Sequence, residues 1–406
     1  MASNTKLGLL ADLRHSWLIC SILCIGMLPM WVNGYCMYVL ILLLPVVLFN
    51  YQRLDPPCCL LILFSIVYVM ARLFNGAQYA PSGLIFDIFY PFISYQVAGL
   101  LVRRFAFKQS SIVLIALMII CLGLPAIVAN VRDAASGELI NMYRLVTSET
   151  GDVTRSATGF GMMLAPLIGC FGLILIRTST QLDSKIKILL FAGSVLALFS
   201  TIHLLNRTGL VLGLVSVVLA LALPPSSMKK MLYCVTICVV IVCALAFVLG
   251  NSTFIDDAIR LYEARDQGTG SAGSYGGRDA MWAGGLAQIF SIPQGTEQGI
   301  ISIQKNYAHN MWIDAGIKGG LLCFIMLICF TIIYVVNLYR FFITPHFTRF
   351  ERNFLLILGM IMLLQMGVEP VIDGVPQLFW IFVFIASVII HLNRKRGSHL
   401  SIDTNL

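Results

Sequence analysis

Long apolar runs, separated by short polar segments, cover most of the chain. These runs are long enough to cross a hydrocarbon layer of about 30 Å as helices, and they lack the alternation of membrane β-strands. The pattern predicts about twelve transmembrane helices, the first two of which meet at Asn33-Gly34, a turn signal that also suits a hairpin. The predicted spans are residues 16–31, 35–50, 58–74, 82–102, 110–129, 158–176, 188–205, 208–223, 231–250, 319–337, 354–368 and 377–392.

The composition excludes a soluble globular domain. The chain has 406 residues, of which 59% are hydrophobic and 11% are charged, and its mean hydropathy is +0.89. Because neither a soluble core nor a disordered tail has this balance, we expect an all-α, polytopic membrane bundle. The 12 cysteines lie within the predicted spans or at their edges, so we expect packing residues and no disulfide framework or zinc site.

Positive charge is distributed unevenly between the two sides of the predicted bundle. Lysine and arginine fall mainly in the connections of one side, whereas the short connections of the other side hold only Arg72 and Arg207. By the positive-inside rule the first side is the cytoplasm, and both termini lie there. The net charge of +8 is explained by this bias, so we expect no nucleic-acid binding. The first apolar stretch lacks a clear cleavage site, so it is expected to remain as an anchor.

The predicted organisation is one membrane domain with one large outward-facing insert. Residues 1–250 contain the first nine spans, residues 251–318 form the outward loop, and residues 319–406 contain the last three spans and a cytoplasmic tail. Loops of such length are usually functional. Within it, the spacing of apolar residues predicts a short amphipathic helix over 254–266. A second helix begins at Arg278 with Met281, Trp282, Leu286, Ile289 and Phe290 as its apolar stripe.

Two arginines in outward-facing positions are candidates for binding an anion. Arg207 lies in a minimal turn between two spans, where it either snorkels to lipid phosphates or points into a cavity that holds an anionic ligand. Arg278 follows a glycine-rich segment and opens a predicted helix, a layout that presents backbone N–H groups and a guanidinium to a phosphate. The alternative for Arg278 is a flexible linker with a solvated side chain.

His309 is the histidine of the outward loops and the candidate catalytic base. Imidazole titrates near neutrality and can take a proton from a hydroxyl group; the alternative is an interfacial histidine bonded to the backbone. Asn310 and Asp314 follow it and are candidates for supporting it. Glu369 and Asp373 lie at a predicted outward helix break, where ionisable residues would instead suit a transporter.

Three segments occur in an order that resembles a known family. They are Asn206-Arg207-Thr208-Gly209, then Gly277-Arg278-Asp279-Ala280-Met281-Trp282 with Pro293-Gln294-Gly295 after it, and finally Ala308-His309-Asn310-Met311-Trp312-Ile313-Asp314-Ala315-Gly316. Together they resemble the O-antigen polymerase and O-antigen ligase family of bacterial membrane glycosyltransferases. The resemblance covers roughly residues 190–340, and the earlier part is similar only in being a helical membrane bundle.

The resemblance implies a metal-independent, inverting glycosyltransferase of the GT-C type, without a cofactor, in the bacterial inner membrane. Its active site would be periplasmic and its donor a glycan on undecaprenyl pyrophosphate. By the same resemblance, His309 would be catalytic and Arg207 and Arg278 would bind the pyrophosphate. The acceptor would be another lipid-linked repeat unit for a polymerase or lipid A-core for a ligase, and a chain-length regulator would be a candidate partner.

Three functions therefore remain open from the sequence. Polymerase is preferred to ligase because Trp312 and Asp314 follow the His-Asn pair. A polysaccharide transporter or flippase is the third alternative, suggested by the number of spans and by Glu369-Pro370. Transport predicts ionisable residues near the membrane midplane and often inverted repeats, and the sequence shows few of the former and none of the latter.

Overall fold

Apolar helices, packed side by side, make up nearly all of the fold. The computed structural model describes residues 18–28, 31–49, 54–78, 81–105, 109–136, 145–147, 154–174, 184–222, 278–303, 305–344 and 347–403. The α-helices are α1 (18–26), α2 (Leu43–Phe49), α3 (Pro56–Phe74), α4 (Pro81–Phe105), α5 (Gln109–Ser136), α6 (Ala157–Ile174), α7 (Ser184–His203), α8 (Arg207–Ala222), α9 (Arg278–Ser291), α10 (Met311–Ile343), α11 (Arg349–Val368), α12 (Val371–Gly374) and α13 (Pro376–Asp403).

Two 3-10 helices and a two-stranded hairpin accompany these helices in the described part of the chain. A 3-10 helix, Trp31–Leu42, runs directly into α2, and a second 3-10 turn covers Ile301–Ile303. Strands β1 (Leu145–Thr147) and β2 (Thr154–Ser156) form a small antiparallel hairpin in which Val146 is paired with Arg155. Strands of three residues are too short to show a periodic pattern, so the sequence carries no signal for this hairpin.

Seven helices in the described part of the chain are long and apolar enough to cross a membrane. They contain the segments Pro56–Phe74, Gly83–Arg103, Ile112–Ser136, Ser184–His203, Met311–Ile343, Arg349–Val368 and Pro376–Arg394. Three further apolar segments, Cys36–Phe49, Ala157–Gly172 and Thr208–Ala220, are shorter. These helices confirm an all-α, multi-pass membrane bundle, while the number twelve stays a prediction. The predicted span 231–250 and the predicted helix 254–266 lie outside the described residues.

Two groups of helices build the bundle. In the first, α6 packs against α5, α7, α8 and α11, and in the second, α13 packs against α4 and α10 while α10 also packs against α3 and α9. α10 and α11 contact each other and thereby connect the groups. Large side chains such as Trp380, Phe382 and Tyr334 are fully buried where these helices meet, so much of the apolar surface is used for helix packing and not for lipid contact.

α10 begins at Met311, eight residues before the start of the predicted span 319–337. Its helical backbone is interrupted at Gly320, about one third of the way along the helix. Gly320 has φ 82° and ψ 178°, a backbone conformation outside the helical region that is accessible essentially only to glycine. The segment before Gly320 contains Asp314 and Lys318, whereas the segment after it is almost entirely apolar. The interruption therefore separates a polar first section of α10 from the part that has the composition of a membrane span.

Charged side chains collect at the two ends of α3. At its start, Asp55 caps the helix by accepting from the Cys58 N–H, and it also accepts from the Tyr95 hydroxyl and pairs with Arg394. At its end, Arg72 pairs with acidic residues of the later part of the chain. A helix of this length, 19 residues, separates the two ends by roughly 28 Å. The polar groups thus lie at opposite faces of the bundle.

Candidate functional site

A buried carboxylate, Glu369, lies at the centre of the polar cluster at the Arg72 end of α3. Glu369 follows the last residue of α11, and its side chain is only 2% exposed. Its Oε1 atom accepts a hydrogen bond from the Thr208 hydroxyl (3.0 Å) and lies 3.8 Å from the Arg278 guanidinium. Its Oε2 atom lies 3.6 Å from Nδ1 of His309. Three segments that are distant in sequence therefore converge on one carboxylate.

Side chains at or directly before the starts of three helices contact this carboxylate. Thr208 is the second residue of α8, Arg278 is the first residue of α9, and His309 precedes Asn310, which caps α10. The first N–H groups of a helix lack partners within the helix, and the aligned peptide dipoles place partial positive charge there. The cluster therefore has the electrostatic character of an anion-binding site, in addition to the charge of Arg278.

Arg278 is positioned by the packing of α9 on the start of α10. Met281 and Ile289 on one face of α9 are buried against Ile313 and Ile317 of α10. The Trp282 indole N–H donates to the Ala308 carbonyl at 3.0 Å, which ties α9 to the residue before His309. The predicted helix and its apolar stripe are confirmed by this packing, except at its last position. Phe290 is 66% exposed, because it lies outside the face of α9 that packs against α10.

His309 is presented by a loop that the first turn of α10 holds in place. Oδ1 of Asp314 accepts from the Ala308 N–H (2.6 Å) and Oδ2 accepts from the Asn310 N–H (3.0 Å). His309, between these two residues, has a φ of 55°, which lies in the left-handed region that residues other than glycine rarely adopt. Such backbone strain persists only where surrounding contacts determine it, and it is common at functional sites.

Asn310 connects the same loop to α11. Its side-chain oxygen accepts from the N–H groups of Trp312 and Ile313, which makes Asn310 the N-cap of α10. Its amide also donates to the carbonyl of Gly367, the residue before the last one of α11. The bond fixes the distance between the His309 loop and Glu369. Asn310 and Asp314 were predicted as supporting residues, and the structure places both directly beside His309.

Arg207 is brought to the same place by its backbone. It is the first residue of α8, and the next residue, Thr208, donates to Glu369. Asn206 fixes this turn, since its amide donates to the Ala157 carbonyl and its oxygen accepts from the Gly209 N–H. The side chain of Arg207, on which the predicted role rests, lies outside what the structure describes.

A second ion-pair network borders the site. Arg72 donates to both oxygens of Glu297, from Nε at 2.6 Å and from a terminal nitrogen at 3.0 Å, and it pairs with Asp373 at 3.2 Å. Lys318 pairs with the other oxygen of Asp373 at 2.9 Å. The network connects the helices α3, α10 and α12 with the segment that follows α9. Because Asp373 lies shortly after Glu369, these pairs also restrain the segment that presents the buried carboxylate.

The turn after α9 packs directly on the interruption of α10. The Leu321 N–H donates to the Pro293 carbonyl (2.9 Å), and the Thr296 N–H donates to the Ile317 carbonyl (2.7 Å). A Cβ atom on Gly295 would contact the Lys318 carbonyl, and one on Gly320 would contact the Pro293 carbonyl. Both glycines have positive φ. The Pro293-Gln294-Gly295 segment noted in the sequence thus supplies one acceptor, the Pro293 carbonyl, and the close backbone approach that the interruption of α10 requires.

Two polar atoms at the centre of the site have no hydrogen-bond partner within the described part of the chain. They are Nδ1 of His309 and Oε2 of Glu369, and both are buried. Most buried polar atoms in proteins are satisfied, so such a pair calls for a functional explanation. Among the described ranges, no group of three or more His, Cys, Asp or Glu side chains has a geometry that could hold a metal ion.

The sequence predicts Arg278 and His309 at one site but does not predict Glu369 there. From its position in the sequence Glu369 suits a transporter, whereas its contacts with Arg278, His309 and Thr208 place it at the predicted catalytic loop. The available signal was its chemistry: an acidic residue at the end of a predicted span, followed by proline, is a candidate functional residue.

No protein-family model matches the chain, and no curated protein matches its sequence.

Proposed function

We propose that the protein is a surface-polysaccharide polymerase. It transfers a glycan from undecaprenyl pyrophosphate onto another lipid-linked repeat unit, in the manner of the O-antigen polymerases that its motifs resemble. The cluster around Glu369 would be the active site and would face the periplasm. The observation on which this proposal depends is that Arg278, His309 and the first turn of α8 converge at one place, although they are distant in sequence.

The donor's diphosphate fits the electrostatics of this cluster. Its leaving group gains negative charge as the bond to the anomeric carbon breaks. Arg278 and the N-termini of α8, α9 and α10 supply positive charge that is fixed in advance, and such charge stabilises the transition state more than the ground state. Arg207, at the first position of α8, would add a second guanidinium. These groups replace a metal ion in the proposed mechanism.

His309 would act as the general base. It takes the proton of the acceptor hydroxyl as that oxygen bonds to the anomeric carbon, and the bond from this carbon to the diphosphate oxygen breaks. The electron pair of the broken bond leaves with the diphosphate. A single displacement of this kind inverts the configuration at the anomeric carbon. The imidazole is 29% exposed and lies beside the buried carboxylate, so it is reachable by a substrate hydroxyl.

The distribution of charge supports an outward-facing site. The cluster lies at the Arg72 end of α3, and the opposite end contains Asp55 with Arg394, in the C-terminal part that the positive-inside rule assigns to the cytoplasm. Lipid-linked repeat units are assembled into polymer on the periplasmic side in the family that the sequence resembles. The proposed reaction and the proposed orientation are therefore consistent with each other.

A polymerase and a ligase differ in the acceptor and not in the chemistry at the diphosphate. The experiment that tests the proposal uses purified protein in detergent or nanodiscs with undecaprenyl-diphosphate-linked repeat units as both donor and acceptor. Elongated lipid-linked chains from the wild-type protein, and none from His309→Ala, would support a polymerase. Transfer to lipid A-core without elongation would instead identify a ligase. Movement of the intact lipid-linked unit across vesicles without either product would identify a transporter.

A further inference from the structure

Among the described residues, the carboxylate of Glu369 has few hydrogen-bond partners for a buried charge. Within this part of the chain it accepts one hydrogen bond of normal length, from Thr208, while Arg278 and His309 lie at 3.8 and 3.6 Å, beyond hydrogen-bond distance. A buried acceptor that is left without a partner loses its bonds to water without replacement, which is unfavourable. The arrangement is therefore a partly completed network, with one acceptor atom, Oε2, facing one imidazole nitrogen, Nδ1.

A diphosphate and an ionised Glu369 compete for the same cation. Two negative charges close together repel each other, most strongly where water is excluded. If Arg278 turned toward an incoming phosphate, the carboxylate would lose its guanidinium neighbour among the described side chains. Among the described side chains beside Oε2, His309 offers an N–H, and a shift of less than 1 Å would bring Oε2 and Nδ1 to the normal distance of about 2.9 Å.

We propose that Glu369 is the positioning residue of His309 and that the donor controls this pairing. Without donor, Glu369 is shared between Arg278 and Thr208. When the diphosphate binds Arg278, Glu369 accepts the hydrogen bond from Nδ1–H of His309. The inference rests on the proposed function, in which His309 is the base and Arg278 binds the diphosphate.

The hydrogen bond would determine which imidazole nitrogen works as the base. With its proton on Nδ1 and donated to Glu369, the ring presents Nε2 as an acceptor to the sugar hydroxyl. The carboxylate also stabilises the positive charge that the ring gains when it takes that proton. Because the bond forms only after Arg278 has moved to the diphosphate, the base is aligned only when a donor is present. This order favours transfer to an acceptor that arrives after the donor.

The test uses Glu369→Gln, which preserves the shape of the side chain and removes its charge. We expect kcat with the lipid-linked repeat unit to fall by about 10²-fold, the lower end of the range for a general base. The dissociation constant for undecaprenyl diphosphate should stay the same or decrease, because Arg278 no longer has a competing carboxylate. Glu351→Gln, at the other end of α11, is the matched control and should preserve both values.

A double variant separates positioning from a merely structural role. If Glu369 acts through His309, the variant His309→Ala/Glu369→Gln should be no slower than His309→Ala alone, since residues that act as a unit are not additive. A structural role predicts an additional loss in the double variant and a lower melting temperature for both Glu369 variants.

The failure of this inference differs from the failure of the proposed function. If His309→Ala abolishes turnover and Glu369→Gln retains wild-type kcat, the positioning role is overturned while the polymerase remains. Weaker binding of undecaprenyl diphosphate with unchanged kcat in Glu369→Gln would also overturn it. If the wild-type protein neither binds undecaprenyl diphosphate nor elongates chains, the proposed function is wrong, and the role of Glu369 falls with it.

Discussion

Asp314 holds His309 from both sides, because its two carboxylate oxygens accept from the backbone N–H groups of the residues before and after the histidine. The side chain of Asp314 is itself part of the first turn of α10, whose cap is Asn310. The imidazole is therefore positioned by the helix that begins immediately after it. A site built in this way depends on the geometry of a helix start, which single residues can disturb.

We predict that Asp314→Asn impairs catalysis more than binding. The amide offers one acceptor oxygen instead of two and turns an NH₂ group toward a backbone N–H, so one of the two bonds is lost. Bonds to a charged group contribute about 1.5–3 kcal/mol, and misplacement of a catalytic group by about 1 Å can reduce the rate by 10²-fold. We expect kcat to fall by tenfold or more, with a nearly unchanged dissociation constant for undecaprenyl diphosphate.

Glu351→Gln is the control for this prediction. Glu351 also accepts a backbone N–H at the start of a helix, since it completes the capping box with Thr348 at the other end of the bundle. The Glu351→Gln substitution should lower the melting temperature slightly and leave the turnover of the folded protein unchanged. Equal losses of kcat in the two variants would mean that helix stability, and not the position of His309, determines the rate.

The second prediction concerns the two arginines. Arg207→Lys and Arg278→Lys should each lower kcat/KM for the lipid-linked donor by roughly ten- to a hundred-fold, because an ammonium cannot reproduce the paired N–H groups that a guanidinium offers a phosphate. Turnover is measured on purified variants with the lipid-linked repeat unit. Arg349→Lys is the matched control, since Arg349 is exposed at the start of α11, remote from the cluster. Full activity in both site variants would show that neither arginine binds the diphosphate.

The third prediction concerns stability. Gly320→Ala should lower the free energy of unfolding by more than Gly76→Ala, although the two glycines have similar φ values of 82° and 84°. Alanine at either position is strained by about 1–3 kcal/mol. At Gly320 its Cβ would also contact the Pro293 carbonyl, whereas nothing lies within 4 Å at Gly76. Thermal unfolding in detergent measures the difference. Equal losses would indicate that the Pro293 turn adjusts freely and does not fix the interruption of α10.

The course of the membrane helices was largely predictable from the sequence. Apolar runs have a length that the bilayer determines, so the predicted spans 58–74, 82–102 and 354–368 agree closely with α3, α4 and α11. The start of α10 was placed too late, because Asp314 and Lys318 interrupt the apolar pattern there. Their charges are satisfied by the His309 loop and by Asp373, and such partners are not visible in local hydropathy.

Only part of the site was predictable. His309 and Arg278 are recognisable as candidates because imidazole and guanidinium have characteristic chemistry in a loop that is predicted to face outward. The relation of Glu369 to them depends on how α11 packs against α10 and α8, and no periodic pattern encodes that packing. The pairing of Arg72 with Glu297 has the same cause, since a long segment of chain separates the two residues. Long-range partners of charged residues follow from tertiary structure.

The most direct test of the account is the turnover of His309→Ala. Purified wild-type protein and the variant are incubated with undecaprenyl-diphosphate-linked repeat units in the presence of a chelator, and the lipid-linked chains are separated by length. We predict that the wild-type protein elongates chains with the chelator present, and that the variant binds undecaprenyl diphosphate normally but elongates at least 10²-fold more slowly. Elongation by the variant at the wild-type rate would contradict a catalytic role for His309, and a requirement for added divalent metal would contradict the metal-independent mechanism.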